Sequence, residues 1–283
     1  MRKPLWLLII LMLSSQYTNA GAYSITVQSD GSIDADTLSL FNDAVNFWES
    51  KIIGTQEYFG IDLKIDASTP FIDGANGVLG SAYTSEQTFD SVIGQFLYSS
   101  KGVMRFDIDD VARLKLDGTL FDVILHEMAH VIGFGTLWNP TFNNGGTPQF
   151  QNVYINGSGQ YTGAYALAIY QEIFNPSATH IPVELDGGSG TANAHWDEGF
   201  LGNIFLAEPE LLTGYLHSNA YISDITLASF ADLGYIVRLS DGRILGIVSS
   251  PSTFALFGLA LFIIIGRRFK RDVKINVLSY NVL

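Results

Sequence analysis

Residues 121–132 read Phe-Asp-Val-Ile-Leu-His-Glu-Met-Ala-His-Val-Ile. In an α-helix, two histidines four residues apart lie on one face, a single turn from each other. His126 and His130 placed this way can share one zinc ion, each through a ring nitrogen at about 2.0–2.1 Å. Glu127 falls about 100° further round the helix, beside such an ion without being aimed straight at it. That position suits a general base that takes a proton from water acidified by the metal. Asp117 or Thr119 is expected to cap the start of this helix. Gly133, three residues past His130, is expected to end it in a left-handed turn. A hydrolytic zinc keeps three protein ligands and one open position, so a third ligand is required. The chain contains no cysteine, which excludes thiolate ligands, a thiol nucleophile and disulfides. His180, His195 and His217 are the histidine candidates, with Glu198, Glu208 and Glu210 as carboxylate alternatives.

The elements that must position this motif are visible in the apolar periodicity. Leu38, Phe41, Val45, Trp48 and Ile52 recur at three- and four-residue steps, which predicts a helix over residues 34–52, capped by Asp34 or Asp36. Residues 60–67 alternate apolar and polar as a half-buried strand. A second strand is predicted over 77–83, with Gly77 and Gly80 suiting a sheet edge that another backbone can approach. A third is predicted over 101–108. Residues 139–163, rich in Gly, Asn, Thr and Gln, read as a long loop. A short helix over 165–174, a Gly-rich loop over 186–190 and a last helix over 225–233 stopped by Gly234 complete the pattern. Helix, strands and metal-motif helix together predict an α/β or α+β first half.

The termini carry a different signal. Arg2 and Lys3 precede an apolar run from Leu5 to Leu13, followed by small residues around Ala20 and Ala22. This has the form of a secretory signal peptide over residues 1–20. Residues 254–265 are apolar or Gly, and Arg267, Arg268, Lys270 and Arg271 follow at once. Counted back to Ile244, the weakly polar stretch approaches the ~20 residues of a transmembrane helix with a basic cytoplasmic flank. The net charge is −13, with 28 acidic residues against 15 basic ones. Seven of the basic residues lie in 1–20 and 267–283, so the part between is far more acidic than the whole. Such a surface excludes nucleic acid as a partner and suits cations or basic substrates.

Residues 126–138, His-Glu-Met-Ala-His-Val-Ile-Gly-Phe-Gly-Thr-Leu-Trp, resemble the leishmanolysin family of metzincins. The ordinary metzincin spacing would place the third histidine at position 136, where this chain has Thr136. In the family an insertion displaces that ligand to a later His-Trp pair, so the resemblance implies His195, followed by Trp196, as the third zinc ligand. Glu210-Leu211-Leu212-Thr213-Gly214 resembles the family's Met-turn, with Leu212 in place of the methionine. Residues 229–237 resemble its closing helix. The likeness runs over residues 35–237 and implies an α+β, metzincin-like fold, with two subdomains on either side of an active-site cleft. It also implies an extended substrate lying along the edge strand at Gly77, Val78, Leu79 and Gly80. The segment Ser250-Pro251-Ser252-Thr253, the apolar run and Arg-Arg resemble a PEP-CTERM sorting tail of Gram-negative bacteria, which an exosortase would recognise.

The expected organisation is a signal peptide (1–20), an N-terminal catalytic subdomain ending in the zinc helix (21–138) and a C-terminal subdomain carrying the third ligand (139–240). A linker with a membrane or sorting helix (241–266) and a basic cytoplasmic tail (267–283) follow. The expected function is zinc-dependent endopeptidase action on protein or peptide substrates by an exported enzyme, in the cell envelope or extracellular, anchored by its C-terminal segment or released after processing of that segment. Calcium is a second candidate ion, at the Asp73-Gly74 and Asp186-Gly187 loops, where ordinary turns are the competing reading. Leu212 motivates a rival from another class, a catalytically weak or inactive tethered surface or matrix-binding protein on the same scaffold.

Overall fold

The computed structural model describes residues 21–246, except 58, 90, 92–93, 141–147, 149, 199–208 and 218–219. The expected signal peptide, most of the membrane segment, the basic tail and Glu208 therefore lie outside the described residues. In chain order the elements are β1 (Tyr23–Ser29), α1 (Ala35–Lys51), β2 (Ile52–Thr55), β3 (Ile61–Ser68), β4 (Gly80–Phe89), β5 (Leu97–Phe106), α2 (Ile108–Asp117) and α3 (Leu120–Ile132). They continue with β6 (Gln160–Tyr161), α4 (Ala164–Ile173), β7 (Ile181–Pro182), α5 (Asp224–Asp232), β8 (Tyr235–Arg238) and β9 (Ile244–Leu245). The mixture is the α+β class that the sequence predicts. No helix among the described residues is long and apolar enough to cross a membrane. Ile244 and Leu245, which the hydropathy count includes in the apolar stretch, form β9.

The principal sheet has the order β1-β3-β5-β4. β1, β3 and β5 run parallel, and β4 returns antiparallel along β5, so β4 is an edge strand. β3 shows the alternation its sequence predicts, with Ile61, Leu63, Ile65 and Ala67 buried and Asp62 and Lys64 exposed. The parallel pairs need crossovers, and α1 supplies the one between β1 and β3. Asp34 caps α1 by accepting the Thr37 N–H at 2.8 Å. Phe41, Ala44 and Trp48 form the buried stripe of that helix. The Trp48 indole N–H donates to the Leu125 carbonyl at 3.3 Å, which ties α1 to α3.

A second sheet has the order β2-β8-β9. The Tyr235 hydroxyl donates to the Ile132 carbonyl at 2.8 Å and so satisfies an orphan acceptor at the C-terminal end of α3. The Tyr98 hydroxyl donates to the Gly234 carbonyl at 2.8 Å. α3 is thereby held from the sheet, from α1 and from β8 at once. This explains why ten of its thirteen residues are buried, well beyond an amphipathic stripe.

Asp232 at the end of α5 caps a different helix. Its carboxylate accepts the Tyr165 and Ala166 N–H groups at 2.8 and 3.0 Å, at the start of α4, and the Tyr161 hydroxyl at 3.1 Å. Burial pushes its pKa up to about 7 against the pull of these donors. A carboxyl with a raised folded-state pKa binds its proton more tightly in the native than in the unfolded chain. The stability it confers is present below the unfolded value and is lost as pH rises through the folded one. Asp232→Asn removes this titration. In chelator-treated protein, the stability gap between wild type and Asp232→Asn is expected to narrow between pH 4.5 and pH 8 by on the order of 3 kcal/mol. Urea unfolding at the two pH values measures it, and a gap independent of pH contradicts the assignment.

Candidate metal centre

His126, His130 and His195 converge, and they form the only such group of three or more His, Cys, Asp or Glu among the described residues. Their Nε2 atoms make a nearly equilateral triangle with sides of 3.1, 3.0 and 3.0 Å. Each Nδ1 faces a main-chain carbonyl: Leu211 for His126 at 2.7 Å, Phe134 for His130 at 2.9 Å and Thr191 for His195 at 2.9 Å. A carbonyl can only accept, so each ring carries its proton on Nδ1 and points an Nε2 lone pair inward. Three lone pairs facing one another have no proton between them and need a cation. The side lengths fit one. Tetrahedral zinc with nitrogens at about 2.0–2.1 Å separates them by about 3.3–3.4 Å. The rings are also kept neutral. Burial, then the neighbouring His195, pushes His126 down to about 3, and burial lowers His130 and His195 as well. Neutral imidazole is the ligating form.

Each ring is fixed by structure outside the triangle. The N-cap position of α3 is Thr119, one of the two expected, but its side chain makes no capping bond, and Asp117 ends α2. At the other end Gly133 has φ +145°, a region where an L side chain is strained. Thr136, where the ordinary metzincin spacing would put a histidine, donates its hydroxyl to the His130 carbonyl at 2.7 Å. Gly135 has φ +71°, and a Cβ there would lie 2.6 Å from the Ala194 carbonyl oxygen, so only glycine lets the 194–196 segment lie against this turn. Trp196, next to His195, is fully buried, with ring centroids 5.1, 5.3 and 5.2 Å from Phe134, Trp138 and Tyr161. Asn193, at φ +69°, accepts the Tyr154 hydroxyl at 2.6 Å and the Gly157 N–H at 2.7 Å, which pins the preceding turn.

The other candidates are placed elsewhere. His180 contacts the Thr179 hydroxyl at 3.2 Å, and neither it nor His217 joins the triangle. Glu198 accepts the Gly214 N–H at 3.1 Å. Glu210 is fully buried and occupied by donors from Leu212, Ser223 and Thr226. Leu212 is fully buried, and its carbonyl accepts the Trp196 N–H at 3.0 Å.

Glu127 is buried to 7% exposure and makes no hydrogen bond among the described residues. Burial pushes its carboxyl up to about 8, the range of a group that can both take and give a proton near neutrality. Beside it β4 begins. A Cβ on Gly80 would sit 3.1 Å from Glu127 Cγ and from Oε1, so glycine there lets the edge strand start against the carboxylate. Gly77, Val78 and Leu79 are not part of that strand. They form the turn before it, where the Asp73 carboxylate accepts the Val78 N–H at 3.0 Å and the Leu79 carbonyl accepts the Asp107 N–H at 3.1 Å. Asp107 in turn accepts the N–H groups of Ile72, Asp73 and Gly74 at 2.8, 2.8 and 3.0 Å. These side-chain bonds claim the backbone that a strand would need, and β4 runs over Gly80–Phe89 instead. The same bonds make Asp73-Gly74 an ordinary turn. At Asp186-Gly187 the Asp186 N–H is taken by Glu184 at 2.5 Å and Gly187 has φ +77°. Neither loop gathers a set of ligands, so calcium finds no support there.

Sequence reasoning missed the three carbonyls that orient the rings, because main-chain groups leave no residue-type signal. It also missed Asn193 and Gly135. An Asn-Ala-His-Trp run and a Gly-Phe-Gly run were the available hints.

Comparison with known proteins gives a concordant result. The model of Peptidase M8, leishmanolysin, matches residues 92–245, a little over half of the chain. A "Leishmanolysin homolog" of Crithidia fasciculata is 31% identical over 126 residues, covering 43% of this chain and 18% of that relative. The match therefore spans less than a fifth of the relative's length. The matched region holds all three converging histidines and Glu127, its α+β architecture is that of a metzincin-like peptidase, and the chain belongs to the leishmanolysin family, whose peptidases depend on zinc.

Proposed function

We propose that this chain is a zinc-dependent endopeptidase in which His126, His130 and His195 hold the ion and Glu127 is the general base. The observation that carries the reading is the triangle of inward lone pairs beside a buried carboxylate at the start of an edge strand. When bound, zinc supplies Lewis acidity, lowering the pKa of a water and polarising the scissile carbonyl. The chain's own groups do the rest. The three Nδ1–H···O=C bonds keep the rings in the ligating tautomer. Glu127 takes a proton from the attacking water at its free carboxylate oxygen and delivers it to the departing amine nitrogen. The outer edge of β4 offers main-chain groups to an extended substrate, and Gly80 brings that substrate close to Glu127. No covalent intermediate is needed. Metal uptake together with cleavage separates this from the rival that Leu212 motivates, since an inactive binding protein shows the first alone.

Export fits the residues at the ends. Arg2, Lys3 and the run from Leu5 to Leu13 support a signal peptide, and the 254–265 run with its basic flank supports a membrane tether. On this reading the enzyme acts at a bacterial cell envelope, and the tail is a PEP-CTERM-like substrate for a sorting enzyme. Removal of metal tests the catalytic part. A strong chelator is expected to abolish cleavage of an unfolded protein substrate, and one equivalent of zinc to restore it. Cleavage that persists in metal-free protein overturns the proposal.

A further inference from the structure

Glu210 was a candidate ligand in sequence and is something else in the fold. Its carboxylate has no exposure. Oε2 accepts the Leu212 N–H, and Oε1 accepts the Ser223 N–H at 3.0 Å, the Ser223 hydroxyl at 3.1 Å and the Thr226 hydroxyl at 2.5 Å. The Thr226 oxygen itself accepts the Trp196 indole N–H at 2.8 Å, so the direction of its own proton is set toward Glu210. The turn gripped in this way presents two consecutive carbonyls. Leu211 takes the His126 Nδ1–H at 2.7 Å, and Leu212 takes the Trp196 main-chain N–H at 3.0 Å, one residue from His195. Both histidines therefore depend on the same five-residue segment, and that segment depends on one buried carboxylate.

We infer that Glu210 is a positioning residue for the metal centre, fixing the Leu211–Leu212 turn so that its two carbonyls orient His126 directly and His195 through Trp196. The inference rests on the zinc reading above and extends it to a residue that touches neither ion nor substrate. A glutamine cannot substitute in full. Its amide places an N–H₂ against either the Leu212 or the Ser223 main-chain N–H, so a donor faces a donor. The turn then loses one of its restraints while the core volume is kept.

Cobalt(II) titration of the full-length, metal-stripped chain reads this directly, through both affinity and the visible ligand-field bands. Glu210→Gln is expected to lower cobalt affinity ~10–100-fold, the usual consequence of losing an outer hydrogen-bond partner, and to shift the bands. Thr226→Val is expected to lower affinity in the same direction by less, and Thr226→Ser to keep the wild-type value because it keeps the hydroxyl. Asp232→Asn, which loosens a buried carboxylate serving α4, is expected to lower the Tm while leaving affinity and bands unchanged. Wild-type affinity and bands in folded Glu210→Gln overturn the inference, as does an equal loss in Asp232→Asn. If Glu210→Gln does not fold, equal affinities for Thr226→Val and Thr226→Ser overturn it. A wild-type chain that takes up no cobalt fails the zinc reading itself, a result distinct from Glu210→Gln matching a metal-binding wild type.

Discussion

Replacing His195 with alanine is expected to lower zinc affinity ~10²-fold or more, while His180→Ala and His217→Ala leave it unchanged. The magnitude follows from zinc sites in general, where about 10–16 kcal/mol of binding is shared among four ligands, or about 3 kcal/mol each. The locality follows from this structure. His195 completes a triangle with 3.0 Å sides, whereas the other two rings lie outside it. His195 is also 5% exposed, and its ring is held by the Thr191 carbonyl and, through the chain, by the aromatic packing of Trp196. The truncation leaves His126 and His130 four residues apart on α3, so weak two-ligand binding should survive. Competition against a chromophoric zinc chelator, with the three variants in parallel, measures the differences. A loss in His180→Ala or His217→Ala that matches His195→Ala would contradict the assignment.

How legible the site was depended on what kind of residue builds it. Side chains at helical spacing on α3 could be read directly, because periodicity fixes which face His126, Glu127 and His130 share. The elements α1 and β3 were legible for the same reason, since each buries a periodic stripe. The third converging histidine was not legible from spacing, because 64 residues and a long loop separate His130 from His195. It came from likeness to a family. β1 and α2 were not foreseen: β1 is a short strand whose partner is 38 residues away, and α2 is one short helix squeezed between β5 and α3. The turn at Gly77–Leu79 looked like strand because apolar residues and glycines suggested it. The Asp73 carboxylate took the Val78 N–H and the Leu79 carbonyl accepted the Asp107 N–H, which bent this stretch into a turn. Glu210 shows the same limit. An acidic residue in a catalytic half reads as a ligand, and only the fold reveals that its oxygens are already full.

Glu127 is where the account can be tested most sharply, since the geometry separates its role from that of the ligands. It lies on the metal helix but is absent from the converging group, so alanine there should leave zinc binding nearly intact. It is buried without a hydrogen-bond partner among the described residues, so its loss should not destabilise the fold through an abandoned donor. What it does remove is the buried carboxylate beside Gly80 to which the proposed mechanism assigns the proton transfer. General acid–base groups of this kind contribute roughly 10²–10⁴-fold to rate. The decisive measurement is cleavage of an unfolded protein by zinc-loaded wild type and zinc-loaded Glu127→Ala, each full length and each shown to hold one equivalent of the metal. The account predicts cleavage by wild type and a loss of roughly 10²–10⁴-fold in the variant at equal zinc content. Equal cleavage by both, or none by a folded wild type with zinc in place, would contradict it.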